Sequence, residues 1–267
     1  MSSYAIVTGS AKGIGKAIAN ELANINYELL LVDVDSENLE LTAQDIQTRY
    51  GVTVNTLTLD LSRSDCAETI FEWSQEYHDK LSIIINNAGY GLNGAFHLMP
   101  LEEQMNIIDV NVRAVISICH KFIPVLNEQP KSFLVNVAST TAYQTVPYLN
   151  IYASTKAFML SFTRGLRYEL RNSNISVSAV SPGSTDTDFV NRANMGDSIK
   201  KTAKRFNMTA EEVAKIAIKG IFKEKIEIIP GFINKLNAFL PKFFPKTMVE
   251  KIGGNIYEPK VVNKETN

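Results

Sequence analysis

Tyr4-Ala-Ile-Val-Thr8 is a short apolar β-run that meets Gly9-Ser10-Ala-Lys12-Gly13-Ile14-Gly15 and passes at once into a helical pattern through Ile18 and Leu22. A strand, a glycine turn and a helix N-terminus in that order leave few folds open, because the arrangement seats a dinucleotide pyrophosphate. Glycine lets the backbone turn tightly and approach phosphate, while amide N–H groups and the helix dipole attract its charge. The spacing is Gly-x-x-x-Gly-x-Gly, not the commoner Gly-x-Gly-x-x-Gly, and a plain strand-to-helix turn would also use glycine. The strand before it and the helix after it favour the cofactor reading.

Further βα units follow in rhythm. Strands are expected at Glu28–Asp33, Val52–Asp60, Leu81–Ile85, Phe133–Ala138, Ile175–Val180 and Ile226–Ile229. Helices are expected at Ser36–Tyr50, Ser64–Tyr77, Leu101–Leu126 and Asn150–Arg171, and from the Thr209/Glu212 capping box through Phe222. Alternating units with near-continuous apolar strands predict a parallel sheet covered on both faces. The expected fold is therefore α/β: a Rossmann-like doubly wound sheet in three α/β/α layers, one catalytic domain over residues 1–231, with an amphipathic extension over 232–267. Ligands of such sheets bind at the carboxyl ends of the strands. The glycine turn, Asp33, Asp60, Asn86 to Gly89, Ser139 and Pro182-Gly183 all fall at strand ends.

Asp33 closes the second strand 18 positions after Gly15. That is near the spacing of a carboxylate that holds an adenosine ribose by its hydroxyls, and it would repel a 2′-phosphate. Val34 stands where an arginine would have argued for NADP(H). Lys12 pulls the other way, since a basic residue in the glycine turn can contact a 2′-phosphate. A strand-end carboxylate cannot leave its place as a flexible lysine can, so NAD(H) is favoured and NADP(H) is the alternative. The blander reading of Asp33 is a turn acid before a helix N-capped by Ser36.

The chemistry concentrates in Ser139 to Lys156. Tyr152 and Lys156 are four apart and share one helix face. A lysine ammonium beside a phenol is expected to lower the phenol pKa by roughly 3 units, enough to exchange a proton at neutral pH. Ser139 ends a strand, where its hydroxyl could bind a substrate oxygen. Alone, Tyr-x-x-x-Lys would be read as an ordinary surface pair. The pattern at the strand ends reverses that.

Composition excludes several classes. Net charge is −1, which gives no reason to propose nucleic acid as a partner. Cys66 and Cys119 are in no metal-ligand spacing, so no metal is expected and a reducing compartment is. The N-terminus enters a strand pattern directly, without a signal peptide, and no uncharged run reaches membrane-span length. A cytoplasmic protein is expected.

Together these residues resemble the short-chain dehydrogenase/reductase family, in its single-domain branch, over about residues 4 to 230. Thr8-Gly9-x3-Gly13-x-Gly15 is similar to the family's cofactor turn. Asp60 matches the acid that contacts adenine, with Leu61 beside it, and Asn86-Asn87-Ala88-Gly89 the segment supporting sheet and cofactor. Pro182-Gly183, Thr185 and Thr187 match the loop beside the nicotinamide. The resemblance implies an NAD(P)-dependent oxidoreductase interconverting an alcohol and a carbonyl. Tyr152 would be general acid/base. Lys156 would lower its pKa and bind the nicotinamide ribose, Ser139 would polarise the substrate oxygen, and Asn111 would link Lys156 to solvent through water. Asp33-Val34 departs from relatives that carry a small residue followed by arginine. A homodimer or homotetramer is the expected assembly.

Two rival functions are weaker. A cofactor-retaining epimerase or dehydratase would carry Gly-x-x-Gly-x-x-Gly and a larger C-terminal domain. A non-catalytic dinucleotide-binding scaffold would be expected to lose the tyrosine or lysine. Substrate identity is not legible, with Tyr90, Thr141, Tyr143, Pro147, Tyr148, Ser184 and a polar substrate loop at about 184–208 as pocket candidates. In the extension, Phe232, Ile233, Leu236, Phe239, Leu240, Phe243, Phe244 and Val249 alternate with Lys235, Lys242, Lys246 and Lys251, while Pro241 and Pro245 interrupt any long helix. Packing on its own domain or a partner subunit is favoured for this stripe. Weak contact of 232–252 with an anionic membrane surface, or capping of an apolar pocket, is the alternative.

Overall fold

The computed structural model describes residues 3–186 and 208–259. Seven strands form one sheet: β1 (Tyr4–Thr8), β2 (Glu28–Asp33), β3 (Val54–Thr58), β4 (Leu81–Asn86), β5 (Ser132–Val137), β6 (Ile175–Val180) and β9 (Glu227–Ile228). Their order is β3-β2-β1-β4-β5-β6-β9, and every neighbouring pair runs parallel. After β1 the chain winds outward to β3, then returns to β4 on the other side of β1. A crevice therefore opens between the carboxyl ends of β1 and β4. The sequence expectation of a doubly wound parallel sheet is met.

Alternating side chains divide the core into two layers. Ala5 and Val7 of β1 join Ile18 and Leu22 of α1 (Gly13–Ala23), Leu39 of α2 (Ser36–Tyr50) and Ala214 of α7 (Ala210–Phe222) on one face. Ile6 points the opposite way. It joins Ile70 of α3 (Cys66–Trp73), Phe122 of α5 (Ala114–Asn127) and Met159 of α6 (Asn150–Glu169). Full burial of each of the larger side chains among them contributes roughly 1.5–3 kcal/mol, which anchors both helical layers to a sheet buried on both faces.

Local signals explain most boundaries. The Thr209 hydroxyl accepts from the Glu212 amide at 3.2 Å, and the Glu212 carboxylate accepts from the Thr209 amide at 3.0 Å, so the expected capping box starts α7. The N-cap of α2 is Asp35, not Ser36: its carboxylate accepts from the Asn38 amide at 3.2 Å. The region expected as one helix over 101–126 is divided. α4 (Leu101–Ile108) meets a π-helical turn at Asp109–Arg113 before α5 continues. Hydrophobic periodicity does not register one extra residue in a turn, and such turns favour functional sites.

β7 (Thr185–Asp186) and β8 (Met208–Thr209) pair in parallel beside the main sheet. Thr187 and most of the substrate loop expected at 184–208 lie outside the described residues. The extension folds as α8 (Phe232–Phe239), a single turn of 3-10 helix at Leu240–Phe243, and α9 (Lys246–Tyr257), with the prolines at the breaks. Of the two covers favoured for its apolar stripe, the domain itself and a partner subunit, the domain leaves most of the side chains exposed. Phe232 is 80% exposed and Phe243 69%, while among the described residues of the extension only Asn234, Ala238 and Gly253 are buried. No helix among the described residues is long and apolar enough to cross a membrane.

Candidate active site

The crevice predicted by strand order is a cavity of ≈ 370 Å³. Gly9, Lys12, Gly13, Ile14, Asp33 and Val34 line one side, with Asp60, Leu61, Ala88 and Gly89 around its middle. Ser139, Tyr152, Lys156, Pro182, Gly183 and Thr185 line the other end. Sequence positions from 9 to 185 thus converge on one edge of the sheet. Asn87 also lines it, whereas Ser10, Gly15 and Asn111 stand behind the wall.

The glycine turn is shaped as the motif demands. Gly9 has φ +67° and Gly13 φ +57°, in the left-handed region open to glycine. A Cβ on Gly15 would lie 2.0 Å from the Gly9 carbonyl oxygen, so no side chain fits where α1 begins. Thr8 and Asn87 bind the turn to the end of β4. The Asn87 side-chain amide donates to the carbonyls of Thr8 and Gly9, both at 2.9 Å, and the Thr8 hydroxyl accepts from the amides of Asn87 and Ala88 at 3.1 Å. The Ser10 hydroxyl is buried and donates to Val32 at 3.3 Å, so it supports the turn.

Asp33 does two jobs. One carboxylate oxygen accepts from the Ala11 amide at 2.9 Å and the other from the Asp35 amide at 3.0 Å, which fixes the acid at the rim. Lys12 lies 2.8 Å from Asp35, and this contact holds the Asp35 carboxyl down at about 2. Sequence reasoning missed Asp35, although an acid two residues past a strand end is an N-cap signal. Asp60 is exposed, and its carboxylate accepts from Ser62 at 2.9 Å.

At the other end, Ser139 caps a 3-10 turn, its hydroxyl accepting from the Thr141 amide at 3.1 Å. Tyr152, Thr155 and Lys156 form the buried face of α6. The Lys156 ammonium donates to the Val137 carbonyl at 2.8 Å and sits 5.7 Å from the centre of the Tyr152 ring. Asn111, aimed inward by the π turn, accepts from the Tyr90 amide at 3.1 Å and donates to the Tyr90 carbonyl at 3.0 Å and the Thr155 hydroxyl at 3.1 Å. Lys156 and Asn111 flank Gly89: a Cβ there would lie 2.9 Å from Asn111 Oδ1 and 3.2 Å from Lys156 Nζ.

The expected lowering of the Tyr152 pKa is not what this site shows. Burial pushes the phenol up to about 12, against a smaller downward pull from Ser139. Burial also pulls Lys156 down to about 8. The Lys156 ammonium is engaged with the Val137 carbonyl, and burial is the largest influence on both groups. A phenol at about 12 is protonated at neutral pH and is set to give a proton.

Among the pocket candidates, Tyr90, Thr141 and Ser184 line the cavity; Tyr143, Pro147 and Tyr148 do not. Tyr143 instead donates to the Glu227 carboxylate, with the Ser181 hydroxyl 3.2 Å from its oxygen. Tyr257, which sequence reading left out, does line it. No spacing rule connects residue 257 to residue 152, and only the docking of α9 reveals it.

The residues fit a dinucleotide. The turn amides and the start of α1 suit a pyrophosphate, Asp33 suits a ribose diol, and the cavity runs from there to Tyr152. A family model for the short chain dehydrogenase matches residues 3–198. Hydroxysteroid dehydrogenase-like protein 1 of Gallus gallus is 31% identical over 242 residues, 85% of this chain and 71% of that protein. The 3-oxoacyl-[acyl-carrier-protein] reductase FabG of Aquifex aeolicus is 30% identical over 220 residues, 80% of this chain and 87% of that one. Among solved structures, 3-ketoacyl-(acyl-carrier-protein) reductase from Brucella melitensis complexed with NADH is 27% identical, covering 85% of this chain and 96% of its own, with a TM-score of 0.75.

Proposed function

Since this chain belongs to the short-chain dehydrogenase/reductase family, and is an NAD(P)-dependent oxidoreductase acting on alcohol and carbonyl groups, we propose that Tyr152 is its general acid in carbonyl reduction. The bound nicotinamide supplies the hydride. The observation that carries the reading is a buried, protonated phenol on the same cavity as the glycine turn. Tyr152 gives its proton to the substrate oxygen. Ser139 binds that oxygen, and so polarises the carbonyl and aligns it with the phenol. Lys156 holds the nicotinamide ribose and offsets the charge left on the phenolate. Asn111 links Lys156 to solvent through water. Residues 1–231 form the catalytic unit, and the extension adds to its pocket.

NAD(H) is the preferred cofactor in this reading. Asp33 faces the cavity with its carboxylate fixed by two backbone amides, while Lys12 is engaged with Asp35, which supports repulsion of a 2′-phosphate. Wild-type protein should bind NADH more tightly than NADPH by fluorescence titration, and Asp33→Asn should narrow the ratio by about tenfold. Tighter NADPH binding by the wild type would refute the ranking.

The assembly is a homodimer or homotetramer in a reducing compartment, the cytoplasm. The apolar side chains of Leu101, Met105 and Ile116, exposed on α4 and α5, support the first, and the buried free thiols of Cys66 and Cys119 support the second. Sedimentation should give two or four chains; a monomer at micromolar concentration would count against the assembly.

A further inference from the structure

α9 brings a second phenol to the catalytic cavity. Its buried Gly253 lies against Pro147 and the Thr145 backbone, in the loop that leads into α6. That docking places Tyr257, the last residue of the helix, on Val146, Leu149, Tyr152 and Ala153. The Tyr257 backbone is fixed there, because the Asn93 side-chain amide donates to its carbonyl at 2.9 Å and to the Tyr148 carbonyl at 3.1 Å. Tyr148 in turn donates to Glu258 at 3.0 Å. Two loops and the end of α9 are thus clasped at the cavity mouth.

The side chain is held differently. Among the described residues the Tyr257 hydroxyl makes no hydrogen bond, although the ring is packed and lines the cavity with Ser139 and Tyr152. Burial raises this phenol above its ordinary value, so it remains a donor throughout the neutral range. It also adds to the upward push on Tyr152, which puts the two phenols within electrostatic reach of each other. A polar group so placed, with rigid backbone and an unused donor, suits recognition of a ligand acceptor.

Resting on the reading of Tyr152 as proton donor, we propose that Tyr257 is a specificity residue whose hydroxyl donates to a second oxygen of the substrate. The preferred substrates are then carbonyl compounds that carry another acceptor within a few bonds of the reacting carbon. A 3-oxo ester satisfies this, and a simple ketone does not. A simple ketone seated there would shield the hydroxyl from water without pairing it, and that lost bond would discriminate against it.

The test compares ethyl acetoacetate with methyl pentyl ketone, a chain of the same length without the ester oxygens, as substrates of the full chain with NADH. Wild type should favour the ester by roughly tenfold or more in kcat/KM. Tyr257→Phe keeps the ring and the Asn93 bond to the backbone, so the fold is retained. It should raise KM for the ester roughly tenfold, about 1.4 kcal/mol, with kcat and NADH affinity little changed and the simple ketone unaffected. Equal effects on both ketones, or none on either, would overturn the role of Tyr257. Tyr152→Phe serves as the control: reduction of either ketone at the wild-type rate would overturn the underlying reading instead.

Discussion

Lys156→Met should yield a protein that is more stable than the wild type at pH 7 and nearly inactive. Lys156 is 5% exposed, and burial brings its ammonium from 10.5 to about 8. Keeping that charge inside the fold at pH 7 costs on the order of 3 kcal/mol by the size of the shift. A methionine fills similar space without the charge, so a gain on the order of 2 kcal/mol is expected after the loss of the bond to Val137. The sign of the pH dependence follows from the depressed amine. Between about 8 and 10.5 the unfolded chain binds more protons than the folded one, so wild-type stability rises with pH there. The advantage of the variant is therefore constant below about pH 8 and shrinks above it. Turnover should fall at least about 10²-fold, because in the proposed mechanism the phenolate loses its neighbouring charge and the cofactor ribose its ligand. Unfolding curves at neutral and alkaline pH, with kcat measured alongside, check both halves. A variant less stable than wild type at pH 7, by an amount independent of pH, would refute the account of Lys156.

Tyr152→Phe carries the second large effect. The ring is 8% exposed and packs beside Leu149 and Ala153, so removing one oxygen leaves the wall in place. What disappears is the proposed proton donor. A positioned acid contributes about 10²–10⁴-fold, so kcat and kcat/KM should fall together by that order. NADH affinity should stay within about threefold, since the phenol is expected to act on the substrate oxygen and not on the cofactor. The high phenol value adds a direction. At neutral pH the group is an acid already loaded with its proton, which suits carbonyl reduction, whereas alcohol oxidation begins from the phenolate and gains as pH rises.

Much of this site was legible in the residues because sheet periodicity and strand ends are strongly encoded. The continuous apolar strands fixed the layers, and each strand end that carried glycine, aspartate, asparagine or serine arrived at the same edge. Three things were not legible, each for a physical reason. The π turn at Asp109–Arg113 keeps a helical hydrophobic pattern, so Asn111 could be named without the bulge that aims it. The Tyr152 pKa depends on how dry its surroundings are and on where the Lys156 ammonium points; spacing gave the pair but neither of these. Tyr257 reaches the cavity through contacts between segments more than 100 residues apart, such as Asn93 with the end of α9, and no local pattern encodes them.

The same distinction explains the extension. Its lysine-flanked apolar residues read as an element seeking cover, yet Phe232, Phe239 and Phe243 remain exposed while α9 docks on the loop leading into α6. Composition identified an amphipathic segment. Only geometry separated the part that completes the pocket from the part that faces outward.

The central claim is that hydride arrives from the nicotinamide while Tyr152 delivers the proton. Reduction of a ketone with NADH carrying deuterium in both positions of the reactive nicotinamide carbon, followed by mass spectrometry, compares wild type with Tyr152→Phe directly. Wild type should place one deuterium on the carbinol carbon, and the variant should form the same labelled product at least about 10²-fold more slowly. Unlabelled product from the wild type, or labelled product formed at equal rates by both proteins, would contradict it.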